Sequence, residues 1–330
     1  MKLHDVAVVG ATGLVGRAMV KVLEERNFPL NRLVLLASER SVGKEVTYNG
    51  KPLPVHKLQP ERFKHIEFAL FSAAGTISKE FAPLAVSQGA VVIDNSSAFR
   101  MDEKVPLVVP EVNRRQLFKH KGIIANPNCA TIQLVMVLKP LHDLFKAKRV
   151  VVSTYQSVTG AGKIAVDQLQ DELAHRVPSA RKFPHPIAYN CLPHIDMFYD
   201  DGYSKEEFKI MNETKKIMGE QIKVTATAVR VPTLGGHSES VNIEFEKKCS
   251  ADDVRAVLEK APGVVVLDFP QDNVYPMPIL AQDKDEVFVG RIRKDETVPS
   301  GVNLWIVTDN IRKGAATNAV QIAEALVLGK

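Results

Sequence analysis

The chain has 330 residues, a net charge of +5, and 45% hydrophobic against 25% charged residues, an ordinary globular composition with length enough for two domains. No apolar run approaches the roughly 18 residues of a membrane span, aromatics are few, and basic residues alternate with acidic ones as on a solvated surface, so neither a membrane nor a nucleic acid is an expected partner. Three cysteines, at 129, 191 and 249, are odd in number and widely spaced, and no signal peptide is recognisable, so the chain reads as a reduced, cytoplasmic protein without a disulfide framework.

The first element is a β-branched strand, "HDVAVVG", followed by a helical pattern, "ATGLVGRAMVKVLEERN". Between them stand Gly10, Gly13 and Gly16. Glycines at that spacing permit a tight turn and let the amides of a helix N-terminus approach a pyrophosphate, so a dinucleotide site is expected over residues 10–16. The second strand, "RLVLLAS", ends at Ser38 and continues Glu39-Arg40-Ser41. Arg40 with two hydroxyls suits a ribose 2′-phosphate and favours NADP, whereas Glu39 is an alternative acceptor for a free 2′-hydroxyl and would favour NAD.

Strand-like runs recur at 67–73, 90–96 and 122–128, with a helical pattern at 78–88. Strands alternating with helices imply a parallel sheet whose ligands gather at the strands' C-terminal ends. The third of these runs leads through Asn126-Pro127-Asn128 to Cys129, at the head of the helix "ATIQLVMVLKPLHDLF". A cysteine at a helix N-terminus gains thiolate character, and beside a nicotinamide it can add to an aldehyde, release a hydride to NADP and remain as a thioester. By position alone, a small buried apolar residue is an equally good reading of Cys129. His185, Cys191 and His194 have no recognised metal-ligand spacing, and no metal site is expected.

After "RVVVSTYQSVTGAGK" (149–163) the layout changes. Helical patterns at 160–175 and 204–219 precede strand-like runs at 222–231, 237–246, 263–268, 286–293 and 302–309, the pattern of an α+β domain with a mainly antiparallel sheet. "TGAGK" fails as a phosphate loop because Ser157 stands where the first glycine belongs and no hydroxyl follows Lys163. A thiol that forms and releases a thioester needs an acid–base partner, and His237 is placed for it between a double glycine and a polar strand start. Arg230, at a strand end before a proline, could be a carboxylate fork. Each is also readable as a structural residue.

Together these pieces resemble aspartate-β-semialdehyde dehydrogenase over essentially the whole chain, through "VAVVGATGLVG", "IDNSSAFRMD", "VVPEVN", "NPNCAT", "STYQSVTGAG", "FPHPIAYNCLPHID", "EEFKIMNETKKI", "RVPTLGGHSES" and "DNIRKGAATNAVQIAE". The resemblance implies an α/β protein: a Rossmann-like NADP-binding domain over 1–127, a catalytic and dimerisation domain over 128–311, and a last helix, 312–330, packed back onto the first. It implies reduction of L-aspartyl-4-phosphate to the semialdehyde, with release of phosphate, by a homodimer or dimer of dimers. Cys129 would be the nucleophile, Gln156 would orient the substrate and His237 would be the acid–base. Arg230 would hold the α-carboxylate, Glu206 the α-amino group, Arg100 and Lys209 the phosphate, and Asn128 would shape the site. The implied cofactor contacts are Thr12, Gly13, Leu14, Val15, Arg40, Ser41, Thr159, Gly160 and Asn310. N-acetyl-γ-glutamyl-phosphate reductase, the nearest alternative, has glycine where Asn128 stands, and Glu206 offers an ammonium partner that an acetylated substrate does not need. A non-catalytic NADP-binding sensor is the alternative from another class; it gives no reason to keep Cys129, Gln156 and His237 together.

Overall fold

The computed structural model describes residues 2–219 and 221–329. The chain divides into two compact units, 1–128 with 315–330 and 129–314; the sequence places the divisions at 127/128 and 311/312.

In the first unit the order is β1 (His4–Val9), α1 (Leu14–Glu25), β2 (Leu30–Ala37), β3 (Glu45–Tyr48), β4 (Lys51–Lys57), β5 (Phe68–Phe71), α2 (Gly75–Ser87), β6 (Val91–Asp94), the single turn α3 (Pro110–Asn113) and β7 (Ile123–Ala125). The sheet runs β3-β4-β2-β1-β5-β6-β7, parallel except for the β3–β4 hairpin. Successive residues of β1 enter opposite faces: Val6 and Val8 meet α1, and Ala7 and Val9 meet α2. Burial on both faces explains why the central strands are continuous apolar runs such as Phe-Ala-Leu-Phe. The sheet reverses direction at β1, which has β2 on one side and β5 on the other, so the crevice for a dinucleotide opens at their C-terminal ends. The hairpin is an addition to the elements read from the sequence. Its signal is Asn49-Gly50, both left-handed (φ 48° and 71°), as a two-residue turn between twisted strands requires.

The second unit contains α4 (Cys129–Phe145), β8 (Ala147–Ser157), α5 (Lys163–Leu173), α6 (Lys205–Met218), β9 (Lys223–Val231), β10 (His237–Phe245), α7 (Ala251–Leu258), β11 (Val264–Val266), α8 (Pro278–Ala281), β12 (Val287–Lys294) and β13 (Gly301–Thr308). Its sheet order is β11-β12-β13-β10-β8-β9, antiparallel at β12–β13, β13–β10 and β10–β8 and parallel at its two edges. Helix α4 is buried continuously from Ala130 to Leu138, as expected of a helix that is apolar all round, and it packs on β8, β10 and β13. Helix α6 starts in a full capping box: Ser204 and Glu207 satisfy each other's backbone amides, and the other oxygen of Glu207 accepts from Ala228 N–H at 2.9 Å. That places Glu206 and Lys209 at a fixed height beside β9. Among the described residues no helix is long and apolar enough to cross a membrane, and none of the three cysteines is in a disulfide.

The last segment is two elements where the sequence pattern reads as one. A π-helical turn covers Arg312–Ala316 and α9 covers Thr317–Leu328, ending at left-handed Gly329 (φ 60°). Within the first unit α9 lies on the same face of the sheet as α1, through Ala319, Val320, Ile322 and Ala323. Its fully buried Asn318 donates to Asn126 Oδ1 at 2.6 Å and to Val108 O at 3.0 Å, and Asn126 donates to Asn95 Oδ1 at 2.7 Å. Asn318→Ala removes those donors and leaves buried acceptors unsatisfied. The expected cost is about 1–3 kcal/mol, read as a lowered denaturant midpoint; an unchanged midpoint would show the amide chain to be energetically idle.

Candidate active site

In the first unit the glycine loop leaves no room for side chains. Gly10 has φ 82°, and a Cβ there would lie 2.1 Å from Ser72 O; one on Gly16 would lie 2.2 Å from Gly10 O. The backbone thus folds on itself at the start of α1, whose N-cap, Gly13, brings no side chain to cover the helix end. Thr12 Oγ1 and Ser41 Oγ share a hydrogen bond at 3.1 Å, which ties this loop to the turn after β2. In that turn Glu39 is ion-paired with Lys57, while Arg40 is exposed and makes no ion pair among the described residues. The competition between the two is thereby resolved towards a free guanidinium beside Ser38 and Ser41. Arg100 is buried, with Nη2 donating to Asn95 O at 2.8 Å. Asp94 and Asn126 are fully buried and committed to internal bonds: Asp94 accepts from the hydroxyls of Ser78 and Ser96, both at 2.7 Å. These two side chains hold the strand-end turns, a role that sequence alone does not distinguish from ligand contact.

In the second unit the candidate side chains converge on Ser157, the last residue of β8. Its N–H donates to Nδ1 of His237 at 3.0 Å and its carbonyl accepts from Nη1 of Arg230 at 2.6 Å. His237 is fully buried. Burial first, and the Arg230 charge second, push its ring down to about 3, so it is neutral. With Nδ1 accepting from Ser157, the proton of the neutral ring lies on Nε2. Burial also lowers Arg230, partly offset by Glu206 and then Cys129, which places the thiol and both charged groups in one electrostatic neighbourhood. The guanidinium lies 5.9 Å from the ring centroid of Phe183, and its strand bridges Leu192 on the preceding loop.

Gln156, also buried, donates from Nε2 to Glu206 Oε1 at 3.0 Å, and its Oε1 has no hydrogen-bond partner. Glu206 in turn meets Lys209 at 3.0 Å, and Lys209 meets Asp196 at 3.0 Å. Burial opposes the Lys209 charge, but Glu206 and Asp196 more than offset it and raise the ammonium above its ordinary value. Thr159 Oγ1 donates to Asn310 Oδ1 at 2.9 Å. Two glycines sit where the approach is closest: a Cβ on Gly160 would lie 3.0 Å from His237 Nε2, and one on Gly314 would lie 3.0 Å from Cys129 Cβ. Asp196, Phe183, Ser157 and Gly314 lie inside the stretches that carry the resemblance, but the sequence assigns them no site role; the bonded chain Gln156–Glu206–Lys209–Asp196 and the tight contacts bring them into the site.

Residues 5–120 match the family model described as semialdehyde dehydrogenase, NAD binding domain, and residues 138–313 match semialdehyde dehydrogenase, dimerisation domain. An aspartate-semialdehyde dehydrogenase from Aquifex aeolicus is 60% identical over 98% of both chains. The chain belongs to the aspartate-semialdehyde dehydrogenase family. The dehydrogenase from Bacillus subtilis is 51% identical, over 98% of this chain and 97% of its own. Among solved structures, aspartate semialdehyde dehydrogenase II from Vibrio cholerae complexed with ASA superposes with a TM-score of 0.96 at 46% identity over 99% of both chains. An aspartate semialdehyde dehydrogenase with NADP from Candida albicans gives 0.78 at 25% identity over 98% of both.

The dry setting of His237 has a direct signature. Its ring should stay neutral and its NMR signals should not move between about pH 5 and 8, since it protonates near 3 rather than at the ordinary 6.5. A midpoint close to 6.5 would show that water reaches the ring.

Proposed function

We propose that this chain is an aspartate-semialdehyde dehydrogenase that works through a Cys129 thioester, making L-aspartate-4-semialdehyde from L-aspartyl-4-phosphate. Membership of the family carries the reaction class. The bonded set around Ser157 and Gln156 carries the assignment to residues. The glycine cradle and the unengaged Arg40 fit a dinucleotide with a 2′-phosphate, so the cofactor is NADP, held by Gly10 to Gly16, Ser38, Arg40 and Ser41; the resemblance adds Thr159, Gly160 and Asn310, of which Thr159 is hydrogen-bonded to Asn310. NADPH, when bound, supplies the hydride.

The substrate carries a carboxylate, an ammonium and a phosphate. Arg230, held by Ser157 O, has the planar fork for the carboxylate. Glu206, held by Gln156 and Lys209, is the anion for the ammonium and the feature that selects a free amine over an acetylated one. Arg100 and Lys209 receive the phosphate; Lys209 does so by giving up Asp196, whose side chain is 36% exposed against 7% for Glu206. Cys129 attacks the acyl carbon and displaces phosphate, with Asn128 shaping the turn before it and Gln156 turning its unpartnered oxygen to the substrate. His237 donates a hydrogen bond from Nε2 to the carbonyl oxygen as negative charge develops there, steadying the tetrahedral adduct until it collapses with loss of phosphate.

The test is phosphate-dependent reduction of NADP+ by L-aspartate semialdehyde. Cys129→Ser should lose on the order of a thousandfold or more in kcat, and N-acetylglutamate semialdehyde should not be turned over. Turnover of the acetylated aldehyde alone would move the substrate to the longer, acylated series. Binding of NADP without turnover of either aldehyde would make this a sensor.

The working unit is a homodimer in the cytoplasm, joined through the outer face of the second sheet. There the Tyr155 and Trp305 rings lie tilted against each other at 5.3 Å, and Met277, Ile279 and Leu280 are exposed, an apolar patch suited to a protein interface. Trp305→Asp should convert the dimer to a monomer by light scattering; an unchanged mass would place the interface elsewhere.

A further inference from the structure

Three elements of the second unit each carry a residue of the proposed reacting set, and each carries another buried polar side chain one structural period further in. On α4, Gln133 follows Cys129 by four residues; on β10, Glu239 follows His237 by two; on β8, Thr154 precedes Gln156 by two. Those spacings repeat one face of a helix or strand. Glu239 and Thr154 are direct register partners, and all three side chains are fully buried. The next residues inward on the sheet are Val152 and Val241, so the polar layer is one residue deep. Neither oxygen of Glu239, neither amide atom of Gln133, nor the Thr154 hydroxyl makes a hydrogen bond among the described residues, although Gln133 lies close enough to Glu239 to ease the burial of its charge. Packing alone would favour leucine here, because a buried carboxyl without full partners is costly.

We propose that Glu239, with Gln133 beside it, is a positioning residue for the reaction: it sets the first turns of α4 and β10 against each other so that Cys129 and His237 keep their approach. The acting form is the protonated acid. Burial pushes the Glu239 carboxyl up to about 8, with Gln133 opposing, so at neutral pH it is uncharged. The nearest titratable groups by position are His237, two residues before it on the same strand face, and Cys129, one helical turn before Gln133 on α4; the inward residues of β8 and β13 beside it, Thr154, Gln156, Ile306 and Thr308, are uncharged. Above its midpoint the carboxylate would stand one layer from the thiolate and the developing oxyanion and oppose both.

The inference rests on the dehydrogenase reading, so wild-type turnover of aspartate semialdehyde with NADP+ and phosphate is measured first; its absence would count against that reading and not against Glu239. Wild-type kcat should fall above about pH 8. Glu239→Gln, which keeps an uncharged polar side chain of the same shape, should hold kcat within about threefold at pH 7 and remove that alkaline fall. Glu239→Leu should lower kcat by roughly tenfold or more with KM within about twofold, the pattern of a misaligned reacting group. Alkylation of Cys129 by iodoacetamide, followed by mass spectrometry from pH 6 to 10, gives a readout independent of turnover. The wild-type rate profile should show a second inflection near 8 that Glu239→Gln lacks, and this decides the matter if the leucine variant does not fold. An alkaline fall and an inflection unchanged in Glu239→Gln, or full kcat in Glu239→Leu, would overturn the proposal.

Discussion

The second unit's buried polar set depends on the backbone of one residue. Ser157 gives its N–H to His237 and takes the Arg230 guanidinium on its carbonyl. A neutral ring and a buried cation are fixed by the two ends of a single residue at the end of β8. Each bond removes a polar group that would otherwise be buried without a partner, so the arrangement is locked by the cost of breaking it. The Ser157 hydroxyl extends the lock by donating to Thr233 O at 2.7 Å, just beyond the end of β9. Rotation of Ser157 would release the ring, the guanidinium and the β9 turn together.

Around that lock the charges are arranged in series. Gln156, Glu206, Lys209 and Asp196 form one chain of hydrogen bonds and ion pairs running from the buried interior to the surface. Gln156 is the buried end, Glu206 accepts from both Gln156 and Lys209, and the exposed end is the Asp196 carboxylate. Lys209 lies between two anions, which more than offset its burial and hold its charge. Arg230 has the opposite condition. It is buried against Phe183, and its hydrogen bond goes to a neutral carbonyl rather than to a carboxylate.

Much of this was legible in the residues. The glycine triplet, the apolar parallel strands and the run of second-domain strands follow from local rules: glycine where a Cβ collides with backbone, continuous apolar sequence where both faces are covered, alternation where one is. The added hairpin had its own short signal in Asn49-Gly50. The division of the last segment into a π turn and α9 had none, since it comes from Asp309, whose carboxylate accepts the amides of Ile311 and Arg312 and whose carbonyl accepts that of Gly314.

The sequence by itself determined the two kinds of sheet, the helix that begins at Cys129, and the residue types able to bind a dinucleotide and a small dianionic amino acid, because spacing along a chain sets which face a side chain takes. The tertiary structure alone decided the protonation and partners of those residues. That His237 is neutral with its proton on Nε2, that Glu39 turns to Lys57 and leaves Arg40 unengaged, and that Glu239 is buried beside Gln133 depend on contacts between segments up to 106 residues apart, as between Gln133 and Glu239. Burial and neighbouring charge act through space, and no local pattern encodes them.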